Sequence, residues 1–434
     1  MEGKVGIKKN RLVLSAIIST IGMALVISLL IFLFTRPVIN AFSLMTGVTP
    51  NVNVEGNDAD EKFIQSATKI SIDIFKQAYS NNNNKNLLVS PLSAFIGFSM
   101  TVNGAKGDTL AQVEDVLGNE ISIKDINKYF YKYLDNIKKD KNVKLSLPNS
   151  LWIKEYIKQN PADTGEGFEV NKDFLQNNAD YYGIEVYAKN FAENNAINDI
   201  NNWMKIQTSN VDKIIDEIDP ETMMYLLSTV MFEAEWKQTY NKKDIVKGTF
   251  HDETESEIDF MNSYESYYIK DGNAIGFKKL YTGGKYAFVA LLPNENISLQ
   301  DYVQNMTGDG FSKLLKNSAN KVIEVNIPKF KTECTVQMTD ILKNAGLNDV
   351  FDKEKADFTG IGKFESMGNL FVNEVMQKMY FCIDENGTKP GAGTEIKSEL
   401  DCDVILTFDR PFMYAVIDTE TNLPIFMGSV NSLK

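Results

Sequence analysis

The chain has 434 residues, 43% of them hydrophobic, which is enough for one large domain or two ordinary ones around a substantial core. Its three cysteines, Cys334, Cys382 and Cys402, cannot all pair within one chain, which excludes a fold that depends on a disulfide framework. Residues 1–36 carry five basic side chains and one acidic, a net +4, so the overall −13 leaves −17 for residues 37–434 and excludes nucleic acid or anionic lipid as a general partner of that part.

Leu12 to Phe34 is an uncharged run of 23 residues, long enough to cross a bilayer. Lys4, Lys8, Lys9 and Arg11 precede it and Arg36 stands alone behind it, so the N-terminus is expected in the cytoplasm and the rest outside. Residues 1–36 are thus read as a cytoplasmic tail and single transmembrane anchor. The alternative is a long secretory signal, for which Ala41 is a poor cleavage site. Residues 37–60, polar and carrying Pro37, Gly47, Pro50 and Gly56, read as an extracellular tether.

Phe63, Ala67, Ile70, Ile74 and Ala78 recur at helical spacing and open the globular part, residues 61–434. Lys124, Lys128, Lys132, Lys138, Lys139, Lys141 and Lys144 are interspersed with Asp125, Asp135 and Asp140 and read as a solvated helix face and its exit. Ile323, Val325 and Ile327 alternate with polar residues as a half-buried strand. The chain then stays extended to Thr339 and turns helical at Ile341-Leu342. No repeat and no second linker divides residues 61–434. Helices dominate the first third and strands the remainder, an α+β arrangement.

Catalytic motifs are missing from this chain. The single histidine, His251, stands in an acidic turn-like stretch, and there is no Gly-x-Ser-x-Gly, His-Glu-x-x-His, Cys-x-x-Cys or phosphate-binding glycine loop. Neither an enzyme nor a metal or cofactor is expected.

Thr388, Pro390, Ala392, Thr394, Ile396, Ser398 and Leu400 alternate with Lys389, Gly391, Gly393, Glu395, Lys397 and Glu399. That is the period of a strand with one buried face, yet Pro390-Gly391-Ala392-Gly393 has the composition of a loop. What surrounds this segment is specific. Leu406-Thr407-Phe408-Asp409-Arg410-Pro411-Phe412-Met413-Tyr414-Ala415-Val416 resembles the C-terminal signature of the serpin family, and Leu423-Pro424-Ile425-Phe426-Met427-Gly428 is similar to its last buried strand. Asn86–Ser93, Gly104–Thr109, Asn149–Trp152, Ile200–Trp203, Phe232–Trp236, Ile327–Lys331 and Ala356–Ile361 match the family's landmarks in order.

The resemblance implies a fold of three β-sheets and roughly nine helices with an exposed reactive-centre loop. It also implies suicide inhibition of an extracellular serine, or alternatively cysteine, endopeptidase as a 1:1 covalent complex with a monomer. Glu385, Asn386, Gly387, Thr388, Lys389, Pro390, Gly391, Ala392, Gly393 and Thr394 resemble the hinge, with Lys389 in place of a usual acid and Pro390 breaking a usual run of alanines. Family spacing from Glu385 puts the reactive bond at Asp401-Cys402, and spacing back from Phe408 puts it at Leu400-Asp401. The first is favoured and implies an aspartate-selective protease; the second implies a chymotrypsin-like or subtilisin-like one.

Ser90, Ser93, Ser228, Gln377 and Trp236 fall where the central sheet of the family opens. Gln377 stands in place of a usual histidine and Ser228 in place of an asparagine. Asn386-Gly387-Thr388 is also a glycosylation sequon that an inhibitor would have to leave bare. The Asn- and Lys-rich, His-poor composition fits a bacterial surface protein. The competing expectation is a non-inhibitory serpin that serves as a protease substrate or binding ectodomain.

Overall fold

Asp60 starts the first helix by accepting a hydrogen bond from Phe63 N at 2.8 Å, which satisfies one of the orphan donors of the first turn. The computed structural model describes residues 37–82, 85–118, 121–155, 169–208, 213–252, 254–363, 369–388 and 404–433. The apolar run 12–34, Lys389–Thr394 of the hinge, and Leu400, Asp401 and Cys402 lie outside them. Residues 41–434 form one compact unit. No helix among the described residues is long and apolar enough to cross a membrane.

Nine α-helices are described: α1 (Glu61–Ser80), α2 (Pro91–Val102), α3 (Gly107–Gly118), α4 (Ile123–Lys139), α5 (Lys172–Tyr181), α6 (Ala196–Gln207), α7 (Leu299–Asn305), α8 (Gly308–Lys316) and α9 (Thr339–Asn344). On α1 the expected stripe of Phe63, Ala67, Ile70, Ile74 and Ala78 is buried. Ser90 caps α2 and Pro91 fills its first turn, where a missing N–H costs nothing. Every residue of α2 is buried, as suits a helix at the centre of the core.

The central sheet has six strands in the spatial order β1 (Phe42–Ser43), β6 (Glu185–Lys189), β4 (Asn149–Lys154), β7 (Met224–Ser228), β16 (Glu374–Ile383) and β14 (Phe330–Gln337). A second ladder runs β17 (Ile405–Thr407), β13 (Ala319–Pro328), β10 (Ser256–Lys270), β11 (Ala274–Leu280), β12 (Tyr286–Pro293), β18 (Phe412–Asp418), β19 (Pro424–Val430) and β2 (Leu87–Val89), with β9 (Ile245–Phe250) also on β10. The long strand β10 pairs with β9 along Ser256–Met261, with β13 along Phe260–Tyr268 and with β11 along Tyr267–Lys270. Short pairs complete the set, β3 (Lys144–Ser146) with β8 (Met231–Glu233) and β5 (Glu169–Val170) with β15 (Gly362–Lys363).

Residues 41–60, expected as part of a tether, lie instead along the body. Phe42 and Ser43 pair with Ala188 and Tyr187 at the sheet edge. Asn51 donates from N and Nδ2 to the Asp180 carboxylate at 2.7 and 2.8 Å, and Asn57 N donates to Lys128 O at 3.2 Å. The polarity that suggests a linker is here used for hydrogen bonds to helices α4 and α5.

Candidate functional site

Strand β16 alternates half-buried and buried residues throughout. On one edge it pairs with β14 from Met376 to Ile383. On the other it pairs with β7 only from Glu374 to Gln377, opposite Tyr225 to Ser228. Beyond Gln377 the strands diverge, and among the described residues Lys378–Ile383 have no ladder partner on that edge. Thr229 Oγ1 donates to Lys378 O at 2.8 Å and closes the lower end of this opening. Under it lie aromatic rings of both sheets: Phe381 is 5.3 Å from Tyr414 and 5.7 Å from Phe426, and Phe232 is 5.0 Å from Tyr281.

At that lower end the structure brings Ser90, Ser93, Ser228 and Gln377 together, all buried to within 1%. Gln377 Oε1 accepts from Ser90 N at 2.7 Å, while Nε2 donates to Ser90 O at 3.0 Å and Ser228 Oγ at 3.3 Å. Ser93 and Ser228 share a hydrogen bond at 2.7 Å, and Ser90 Oγ donates to Ile425 O at 2.6 Å. Asn149, matched in the sequence as part of a family landmark but not as a site residue, donates to Leu147 O at 3.0 Å while its Oδ1 is buried without a partner. The cluster joins β16 and β7 to the N-terminus of α2. It contains no titratable side chain.

The upper end holds the root of the loop. Asp384 N donates to Gly387 O at 3.0 Å and Gly387 N to Asp384 O at 3.3 Å, so Glu385-Asn386 is the turn of a hairpin already begun. Gly387 sits at φ +139°, where a Cβ would meet Ala234 O at 2.3 Å; only glycine fits. It bridges Glu235 in antiparallel sense, with Thr388 N donating to Ala234 O at 2.9 Å and Trp236 N to Asn386 O at 2.8 Å. Trp236 Nε1 donates to Asp384 O at 2.9 Å and Tyr240 N to Glu385 O at 3.0 Å. The Trp236 indole stacks on Tyr281, 4.5 Å between centroids. Lys329 Nζ reaches Glu385 Oε2 at 2.6 Å, and this hydrogen bond holds the Glu385 carboxyl below its usual range. Tyr240, Asp384 and Lys329 were not legible as hinge partners; the signal that existed was Pro328-Lys329 at a strand junction, shared by many surface lysines.

The other expected residues fall elsewhere. His251 is half exposed, with Nδ1 2.8 Å from Glu255 Oε2. Cys334 and Cys382 are free, and burial pushes both thiols up. The lysines of α4 and its exit are largely engaged at the surface, Lys128 with Asp125, Lys132 with Asp58, Lys139 with Asp135 and Lys144 with Glu233. No group of metal ligands occurs among the described residues.

The model of the family described as Serpin (serine protease inhibitor) matches residues 65–433. Serpin A3-1 of Bos taurus is 27% identical over 85% of this chain and 88% of its own length, and alpha-1-antitrypsin 1-2 of Mus musculus is 26% identical over 83% and 86%. Among solved structures, the thermophilic serpin tengpin in its native state is 41% identical over 91% of this chain and all of its own, with a TM-score of 0.84. The same serpin in its latent state gives 0.75 at 40% identity, over 87% of this chain and all of its own. Human thyroxine-binding globulin complexed with its hormone shares the fold at 21% identity and a TM-score of 0.76, over 85% of this chain and 98% of its own. The chain therefore belongs to the serpin family.

Proposed function

We propose that this serpin inhibits an endopeptidase by trapping it, with residues 388–400 entering the opening between β7 and β16 as a new strand. The observation that carries this reading is the hairpin at Asp384 and Gly387, which stands at the mouth of that opening and sets a register for the whole arm. Continued along β16, it puts Thr388 opposite Ile383, Pro390 opposite Phe381, Ala392 opposite Met379, Thr394 opposite Gln377 and Ile396 opposite Val375. Continued from the Glu235–Gly387 bridge, the other edge places the same residues opposite Ala234, Phe232, Val230, Ser228 and Leu226. The two extrapolations agree, because Thr394 falls between Gln377 and Ser228, which are themselves paired. Odd-numbered residues of β16 are buried, so the even-numbered arm residues face the core and Lys389, Glu395 and Lys397 face outward. Lys397 comes beside Glu374, an opposite-charge pair.

The chemistry is acyl transfer arrested halfway. The protease nucleophile attacks the carbonyl carbon of Asp401, or of Leu400 in the alternative register. The peptide C–N bond breaks, the leaving amine takes the proton, and an ester (a thioester for a cysteine protease) links the arm to the enzyme. The C-terminal fragment would stay in place through β17, β18 and β19. Insertion adds on the order of ten ladder bonds, against the single donor that Pro390 lacks, at about 0.5–1.5 kcal/mol. With Asp401 at the reactive bond, the target selects acidic side chains through a basic pocket.

The second reading, a serpin that is cleaved or binds without trapping, is favoured by Pro390, which would leave the Phe232 carbonyl without its ladder partner, and by Gln377 and Ser228 in place of the usual residues at the opening. We also propose that the 12–34 run anchors the protein in a membrane with the serpin domain outside, on the strength of its length and flanking charge. Residues 41–434 are incubated with aspartate-, glutamate- and leucine-selective proteases and resolved by denaturing electrophoresis, with mass spectrometry of the C-terminal fragment. A band at the combined mass is expected, and a fragment beginning at Cys402. Complete cleavage with no such band would sink the inhibitory reading in favour of the second.

A further inference from the structure

Strand β11 turns Phe277, Lys279 and then Tyr281 toward the core, so a lysine occupies a position flanked by aromatic residues. Lys279 is 3% exposed and Glu265, on β10, 9%. Lys279 Nζ donates to Glu265 Oε1 at 2.5 Å, and Ser263 Oγ donates to the same oxygen at 2.7 Å. The contact is an ion pair by its geometry. Burial alone would depress the Lys279 ammonium, but the Glu265 carboxylate and Tyr240 outweigh it and hold the Lys279 pKa above its usual value.

A buried ion pair is seldom an aid to stability, since apolar residues of equal volume commonly do as well or better. Its neighbours here give it another use. The ammonium lies 4.4 Å from the centroid of the Tyr240 ring and 5.6 Å from that of Trp236. These are the two residues that hold three successive hinge carbonyls: Asp384 O by Trp236 Nε1, Glu385 O by Tyr240 N and Asn386 O by Trp236 N. Both aromatic residues therefore touch the hinge on one side and one cation on the other.

We propose that the Lys279–Glu265 pair positions Trp236 and Tyr240 as a clamp on the hinge and so sets how readily the hinge releases the arm into the sheet. Lys279 is a positioning residue that acts on the Trp236 ring, whose Nε1 holds Asp384 O, and on the Tyr240 ring, whose own backbone N–H holds Glu385 O. The clamp stands on geometry alone; its effect on arm release rests on the inhibitory reading.

The test separates clamping from overall stability. Hydrogen exchange is followed by mass spectrometry on peptides covering 234–240 and 384–388, beside urea unfolding, in residues 41–434. In the double variant Lys279→Met with Glu265→Leu, no charge is left unpaired, so the urea midpoint should be unchanged or higher while the amides of Trp236, Tyr240 and Thr388 exchange at least tenfold faster. Lys279→Arg, which keeps a cation against both rings, should exchange as the parent does. Glu265→Gln provides the reading if the double variant does not fold, and should also speed exchange. Unchanged exchange at those amides, or an equal acceleration across β13, would overturn the clamp. If the parent protein traps a protease, the double variant should shift the ratio of trapped to cleaved protein at least twofold, and an unshifted ratio would overturn the effect on release. A parent that traps nothing disproves the inhibitory reading while the exchange experiment still decides the clamp.

Discussion

The side-chain amide of Gln377 meets the backbone of Ser90 at both ends, accepting from Ser90 N at 2.7 Å and donating to Ser90 O at 3.0 Å. Ser90 O has a second donor in Ala94 N, whereas Ser90 N depends on Gln377. Gln377→Leu should therefore strand one buried donor and lower stability by about 1–3 kcal/mol, read from the urea midpoint. The amide does not titrate, so its contribution should be flat from pH 5 to 8. Gln377→His would make it titrate. A buried imidazole has a folded pKa below its unfolded value of about 6.5, so the unfolded chain binds more protons and stability falls as pH drops below that value. A flat profile for the histidine variant would mean the site is wetter than its burial indicates.

That cluster was legible because Ser90 and Ser93 sit in a stretch that matches the family, and because the resemblance places Ser228 and Gln377 where the central sheet opens. What sequence could not show was who meets whom across it. Lys329 lies between β13 and β14 and Glu385 in the turn after β16, and nothing local to either distinguishes a hinge pin from a surface charge. Lys279 sits in Lys278-Lys279-Leu280, which reads as exposed; only the pairing of β11 with β10 and β12 turns Lys279 inward. The docking of residues 41–60 was missed for a related reason. It rests on backbone hydrogen bonds and on Asp180, which composition does not register.

Tyr281 is fully buried, and its hydroxyl has no hydrogen-bond partner although the Thr388 hydroxyl lies near it. A buried hydroxyl left unsatisfied destabilises the state that contains it. Tyr281→Phe keeps the ring on Trp236 and removes the orphan, so the uncleaved protein should gain about 1 kcal/mol in urea unfolding. A loss of stability would show that the hydroxyl is satisfied in solution, by water or by Thr388.

The pair of Lys329 and Glu385 gives an acid limit to the hinge. The hydrogen bond from Lys329 lowers the folded pKa of Glu385. A depressed carboxylate pKa adds stability above the unfolded value of about 4.3 and loses it as pH falls through the folded one. The side chains are 26% and 32% exposed, so screening limits the pair to about 1 kcal/mol. Thermal midpoints of the parent and Glu385→Gln should differ by a constant amount from pH 5.5 to 8 and converge toward pH 3. A difference that vanishes between pH 6 and 7 would point to another titrating group.

Pro390 offers the sharpest test of the inserted register. Asp384 and Gly387 exchange both of their backbone bonds, and such pairs recur at every second position of an antiparallel ladder. In the proposed inserted strand the bonded positions against β16 would be Lys389 and Gly391, so Pro390 would direct nothing toward Phe381. Against β8 the bonded positions are Thr388 and Pro390, as Thr388 N on Ala234 O already indicates. In that register the missing N–H would fall opposite Phe232 O. Pro390→Ala should restore one bond, about 0.5–1.5 kcal/mol, and raise the ratio of trapped to cleaved protein on a denaturing gel. Thr394→Arg supplies the opposite control. It would drive a charge into the buried Ser228–Gln377 cluster, so the arm should stall and cleavage should proceed without trapping. If Pro390→Ala leaves the ratio unchanged while Thr394→Arg abolishes trapping, the arm inserts at least as far as Thr394 in the register above, but its entry past Phe232 does not limit the rate.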